Sequence, residues 1–515
     1  MSSDPENSVE PIELTFLKPY DCGFQYGERC KPKIREHVNR ILRSMGTELP
    51  IKEVCRKIVC RYYLRAIKQF CPDAFKLMNG IARGSGEKTW MIIVLNSVYD
   101  LKRTAAMMAG TLSTTGDCPP LGESVTGIFT QNVTEDCHDY CAYSWSDARS
   151  NADLLVQLHY HDTGPKGRPG IWTPVLAGQI VGQSGMNSMG MVVATNALVH
   201  AGDKVPGAWA VWNPRHRRWM IRGGMWLPVS FVSWMFLGKR GFERGRDAVH
   251  QGCRWLHVSQ SFSLLPGDVR PGNIDWANYE TTPKKKYLSF GVYPDKCQIR
   301  TNHFLRPFLA QDDEWPDLEK SRSLKESIEL LVHRLEEDEE DEDEEDNEEQ
   351  EDEEQEDEKV ERGETEEEGT EEGTDADSDA NSDDGSDQTD DTEETRVDKG
   401  NLTMGDIRRI FSYDQPAGVE AAKDSKDPVI KTFLNMLPNG RELPPSHCCR
   451  YDGQPADGEG REGACSMFVL YDKTEKKASI SLGPCCRGVF ETFSFESHEV
   501  AGMFRIETYE NLRGG

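Results

Sequence analysis

Apolar positions recur at helical spacing through the first hundred residues and at strand spacing in most segments after that. Over 33–45 and 51–70 the spacing predicts two helices, with Val54, Ile58, Tyr62 and Ile67 on one stripe. Cys71-Pro72-Asp73 stops the second, and 74–83 starts a further helix that ends at Gly84 and Gly86. The apolar stretch 90–100 also reads as helix. Ahead of these lie a disordered start over 1–11, a short strand over 12–17 and an aromatic corner over 19–27. Gly23 and Gly27 sit four apart in that corner, which predicts close packing where the strand turns into a helix. Residues 109–138, rich in Gly, Thr and Pro, have no clear period and read as a loop.

From Asp139 the period shortens to two. The stretch 139–162 reads as a β-hairpin, with Cys141 at its head and a turn at 148–151. Strands follow over 172–181, 191–196 and 287–293, with a tight turn at 185–190. Later strands are expected over 465–471, 478–482 and around 490–495, and helices over 244–256, 323–335, 404–411 and 429–436.

Charge changes this picture in one place. The chain of 515 residues carries a formal charge of −29, but 336–396 alone holds 37 acidic against 3 basic residues. The remainder, 57 basic against 52 acidic, carries +5, so the folded body is close to neutral. The tract has too little apolar content to offset the entropy of ordering and reads as a disordered insert, a solubilising loop before a docking tail for basic partners. Its segment 375–385 fails the calcium-loop pattern on the position of Gly and of the closing Glu. A body of net +5 with one short basic cluster, Arg215-His216-Arg217-Arg218, lacks the footprint of a nucleic-acid binder. No apolar run is long enough for a membrane helix, and the start MSSDPENSVEP has no signal-peptide pattern. The expectation is therefore a cytoplasmic protein with its fifteen cysteines reduced. Cys448, Cys449, Cys465, Cys485 and Cys486 match no zinc spacing. His159 and His161 alternate onto one strand face, a possible metal pair with no third ligand in view, so a polar pocket wall is the preferred reading.

A cysteine heading a central strand is where an N-terminal nucleophile enzyme carries its reacting atom. The pieces PYDCGFQYG (19–27), NGIARGSG (79–86), VLN (94–96), GMNSMGMVVATNAL (185–198), TNH (301–303) and SMFVLYDKTEKKASISLG (466–483) occur in one order. In that order the chain resembles the acyl-coenzyme A:6-aminopenicillanic acid acyltransferase family, the C45 peptidase-like N-terminal nucleophile hydrolases, to which insect β-alanyl-amine hydrolases are related. The resemblance implies an α/β fold, a four-layer αββα sandwich, made as a precursor that cuts itself before its nucleophile. The freed α-amine, with a pKa near ~8, then serves as base, and no cofactor is required. It implies a self-processing amidohydrolase or acyltransferase that passes a small acyl group through a thioester, its substrate a small amide or acyl-thioester.

Carried over by motif, Cys141 is the nucleophile and Tyr140–Cys141 the cleavage site. Asn302 is an oxyanion stabiliser, Asp162 and Arg461 are active-site residues, and Asn196 lines the pocket. Tyr140 and Ala142 replace the family's usual Gly before and Thr or Ser after the nucleophile, which leaves Cys118 and Cys137 open as alternatives. The implied organisation is 12–140 as a mostly helical α chain that stays associated after cleavage, 141–335 as the catalytic β-rich part, 336–396 as the insert, and 397–515 as the rest of the same domain. The other class of reading is an inactive descendant of the fold that acts as an interaction protein through its insert.

Overall fold

The computed structural model describes residues 11–332 with gaps, the longest at 45–55 and 110–122, and then 402–411, 463–482, 489–495 and 505–508. The acidic tract, the helix expected at 429–436, Arg461, Cys118 and Arg215–Arg217 lie outside the described residues.

Two sheets form the centre. The first has the order β1 (Ile12–Leu14), β4 (Leu155–Tyr160), β5 (Ile171–Leu176), β6 (Ser184–Asn187), β7 (Val192–Ala197), β10 (Gln260–Leu265), β11 (Trp276–Thr281), β12 (Lys286–Gly291). The second runs β13 (Gln298–Arg300), β2 (Glu123–Phe129), β3 (Tyr140–Ala148), β14 (Gly463–Asp472), β15 (Lys477–Leu482), β16 (Val489–Ser494), β17 (Arg505–Thr508). A separate hairpin pairs β8 (Ala210–Asn213) with β9 (Arg218–Ile221).

Period-two alternation gives each sheet two apolar faces. In the first sheet Val156, Leu158, Val193 and Phe262 turn outward into one core with the helices. Trp172, Met186, Val192 and Ala194 turn inward and meet Cys141, Tyr143, Trp145, Val469 and Tyr471 of the second sheet. The helices on the outer face of the first sheet are α1 (Pro19–Arg29), α2 (Lys31–Ser44), α3 (Leu64–Phe70), α4 (Pro72–Ser85), α5 (Thr89–Leu95), α6 (Val98–Ala109), α7 (Val229–Leu237) and α8 (Phe242–Cys253). On the far side of the second sheet lies α9 (Met404–Phe411). Its Phe411 ring meets Phe129 and Phe468, and its Arg408 lies over Phe490. The layers are thus helix, sheet, sheet, helix. None of the described helices is long and apolar enough to cross a membrane.

Three local expectations need correction. Residues 19–27 are helical, not a corner. Their glycines serve a helix–helix contact, because a Cβ on Gly23 would fall 2.0 Å from the Leu77 carbonyl of α4. The loop expected over 109–138 contains β2, an inner strand between β13 and β3. The stretch 139–162 is no hairpin. A short 3-10 helix, Arg149–Leu154, carries the chain from β3 in one sheet to β4 in the other. Alternation marked both strands correctly but says nothing of their partners: β3 pairs with β14, from the far side of the acidic tract.

Candidate active site

Between the sheets, the inward face of β2 reads Ser124, Thr126, Ile128, and opposite it on β3 stand Trp145, Tyr143 and Cys141. The face grades from polar at Ser124 to apolar at Ile128 and Cys141, which both belong to the inter-sheet core. Asn196 faces the polar end from β7, and Asn302 arrives just after β13.

The two carboxamides converge on one residue. The main-chain N–H of Ser124 donates to Asn302 Oδ1 at 2.8 Å, and Asn302 Nδ2 lies 3.4 Å from Ser124 Oγ. Asn196 Nδ2 donates to Ser124 Oγ and to its carbonyl, both at 3.0 Å. Each carboxamide is itself held: Thr126 donates to Asn196 Oδ1 at 2.9 Å, and Asn302 Nδ2 donates to the Ala197 carbonyl at 2.9 Å. The Tyr143 hydroxyl closes the group, donating to the Thr195 carbonyl at 3.2 Å. Burial raises its pKa, and a hydrogen bond with Ser124 opposes the shift. Ser124, Thr126, Asn196 and Asn302 are all buried. Polar groups out of water cost roughly 1–3 kcal/mol each when unpaired, so so dense a set persists only because its members satisfy one another.

Cys141 stands apart from this set. It is fully buried, and desolvation alone pushes its thiol well above the ordinary value, which disfavours the reactive thiolate. Its cross-strand neighbour on β2 is Ile128, four residues from Ser124 and so about 14 Å along the strand. The oxyanion donor expected at Asn302 and the pocket residue Asn196 are therefore brought to Ser124 and not to Cys141. The segment before Cys141 is pinned: Tyr140 donates to Asp136, Lys473 Nζ lies 2.5 Å from Asp139, and His138 Nδ1 lies 3.0 Å from Asp472. Cys137 is half-buried in a left-handed turn, φ 55°, in that same segment. Asp162 lies beyond the end of β4 on the surface. It pairs with Arg240, accepts from the Gly164 N–H at 2.7 Å and from the Ser188 hydroxyl at 3.2 Å, and so fastens a loop.

Ser124 carries no local sequence signal. It sits in a stretch without period, and its two partners come from motifs 72 and 178 residues away. Tyr140 and Ala142 are the positions at which the Cys141 segment departs from the pattern of the family it resembles. Elsewhere, a groove of about 690 Å³ opens on the helical side between α4, the 163–168 loop and α7, with Lys76, Lys166, Arg168 and Lys239 in its wall. Arg168 stacks on Trp234 at 3.6 Å, and burial lowers its pKa to about 10. None of the Ser124 set lines that groove.

No protein-family model matches the chain, and no curated protein does. Among solved structures, it is similar to the Caenorhabditis elegans N-acylethanolamine-hydrolyzing acid amidase (NAAA) ortholog, at 10% identity over 39% of this chain and 77% of that one, TM-score 0.27. A mutant conjugated bile acid hydrolase from Clostridium perfringens aligns at 10% identity over 76% and 94%, TM-score 0.26. A second variant of that hydrolase aligns at 9% over 75% and 97%, TM-score 0.28.

Proposed function

We propose that the chain is an amidohydrolase of the N-terminal nucleophile type, acting on a small amide, with Ser124 as its nucleophile in place of the Cys141 expected from sequence. The observation that supports this is the convergence of Asn302 and Asn196 on the main-chain N–H and hydroxyl of one residue. Both asparagines belong to the motifs that carry the family resemblance.

The chemistry follows from those contacts. In the precursor, Ser124 Oγ attacks the Glu123 carbonyl carbon, and the C–N bond breaks as the nitrogen takes up a proton. Water then hydrolyses the resulting ester, which leaves the Glu123 carboxylate and a free Ser124 α-amine beside Asn302 Oδ1. An α-amine with pKa near ~8 can accept the Oγ proton at neutral pH, so nucleophile and base share a residue and no histidine is needed. In turnover, Oγ adds to the substrate carbonyl while the amine takes its proton. The carboxamide Nδ2 groups donate to the developing oxyanion. Collapse expels the product amine, which receives the proton back, and water releases the acid from the acyl-ester. An acceptor amine in place of water would make the same site an acyltransferase.

Intact mass and N-terminal sequencing of purified protein test the reading. The expected product is a pair of chains, the larger beginning Ser124-Val125-Thr126, with Ser124→Ala left as one inactive chain. In processed protein, Asn302→Ala should slow turnover about 10²–10³-fold. A new terminus at Cys141 would return the reaction to the thiol. An uncut chain with no acylation at either residue would favour the non-catalytic interaction protein.

A further inference from the structure

A second chemically distinct cluster lies at the edge of the first sheet. We propose that Glu13, His159 and His161 bind one divalent first-row transition-metal ion, which fastens the N-terminal strand β1 to the end of β4. The parallel register places Glu13 beside His159, and His161 follows two residues later on the same face. The His161 N–H donates to the Leu14 carbonyl at 2.9 Å, so the ladder continues past Tyr160 and fixes the second histidine as well. Glu13 Oε2 lies 2.6 Å from His159 Nδ1 and 3.0 Å from His161 Nε2. The donor atoms of all three residues fall within 4.8 Å of one another.

That spacing fits a metal. Nitrogen and oxygen ligands at about 2.0–2.1 Å from a tetrahedral ion stand roughly 3.3 Å apart, so the two measured pairs need to open by less than about 1 Å. Two imidazoles and one carboxylate with a solvent-facing side form the donor set of open-sided transition-metal centres; hard-cation sites prefer oxygen alone. Access and rigidity are both present. The side chains of Glu13 and His161 are 37% and 39% exposed, whereas that of His159 is 4% exposed. Its ring is wedged against Phe493 and Phe495 of the facing sheet, at centroid distances of 4.8 and 5.6 Å. An aromatic wall of this kind holds one ligand's orientation while the other two close on the ion. The site belongs to neither the Ser124 set nor the cationic groove. Its consequence is mechanical, because β1 is a three-residue edge strand with few ladder bonds of its own.

Cobalt(II) titration of the full chain, kept reduced with a non-chelating phosphine, reads the site directly. Cobalt on nitrogen and oxygen ligands gives weak visible bands, whereas cobalt on the chain's cysteines adds intense near-ultraviolet charge transfer. The expected result is one saturable Co²⁺ without thiolate charge transfer, together with a raised melting temperature. Glu13→Gln and His161→Ala should each weaken its affinity at least ~10-fold. Both positions are partly exposed, and far-ultraviolet circular dichroism checks that the variants fold. Absence of saturable thiolate-free binding, or equal affinity in wild type and both folded variants, overturns the proposal.

Discussion

At the scale of single residues, the interior holds ionisable groups whose protonation is coupled to folding, and Asp100 is the sharpest case. It lies on α6, accepts the N–H of Val229 at the start of α7 at 3.3 Å, and is fully enclosed. Burial raises its carboxyl to about 7, against the opposing pull of Arg103. A carboxyl that holds its proton more tightly when folded favours the folded state fully below the unfolded value, near ~4, and that advantage is lost as pH rises toward 7. Asp203 is pushed the same way, to about 6, chiefly by burial. Asp100→Asn keeps the acceptor and removes the titration. Its stability relative to wild type should therefore increase between about pH 4 and 7, by a few kcal/mol in all. Urea midpoints at several pH values give that difference, in which the other titrating groups cancel. A difference that stays constant with pH would show that Asp100 does not titrate in this window.

At the scale of elements, the helical face was legible because its signals are local. Residues 404–411 form a helix with the limits their pattern predicts, and Pro72 opens α4 after the break expected at 71–73. What stayed hidden depends on partners distant in sequence. β2 carries Gly127 in its middle and follows a stretch with no period, so only its ladders to β13 and β3 make it a strand. The Ser124 set hides for the same reason: TNH comes to it along the β13–β2 ladder, and ATNAL reaches it from β7 of the facing sheet. His159 and His161 announced themselves as a pair, but Glu13 lies 146 residues earlier and joins them only through the β1–β4 register. The glycine spacing in 19–27 was readable as close packing even though its geometry was misjudged. Gly23 and Gly27 of α1 interlock with Gly80 and Gly84 of α4, where a Cβ on Gly80 would fall 2.0 Å from the Tyr20 carbonyl. Helix propensity favours Ala over Gly by about 1 kcal/mol, but this clash is with backbone that cannot step aside. Gly80→Ala should accordingly destabilise by on the order of 3 kcal/mol in chemical denaturation. A change under about 0.5 kcal/mol would mean that the two helices can separate at little cost.

At the scale of the whole molecule, the acidic tract divides the chain without dividing the second sheet. β2, β3 and β13 come before 336–396 and β14 to β17 after it, and β14 lies hydrogen-bonded along β3 from Gly463 opposite Ala148 to Asp472 opposite Tyr140. The central pairing of that sheet is therefore made across the tract. Loop-closure entropy grows only as the logarithm of length, with each doubling costing about 0.6 kcal/mol, so a long insert between paired strands is inexpensive and its removal slightly favourable. The tract contributes −34 of the chain's charge and almost no apolar side chains, so deleting it withdraws self-repulsion and little burial. Deletion of 336–396 should leave the melting temperature unchanged or a few degrees higher, with the difference shrinking as salt screens the charge. Differential scanning calorimetry of the deleted and full chains at low and high ionic strength measures both effects. A melting temperature lowered by ten degrees or more would show that the tract packs on the body, and the basic cluster at Arg215–Arg218 would be the first place to look for the contact.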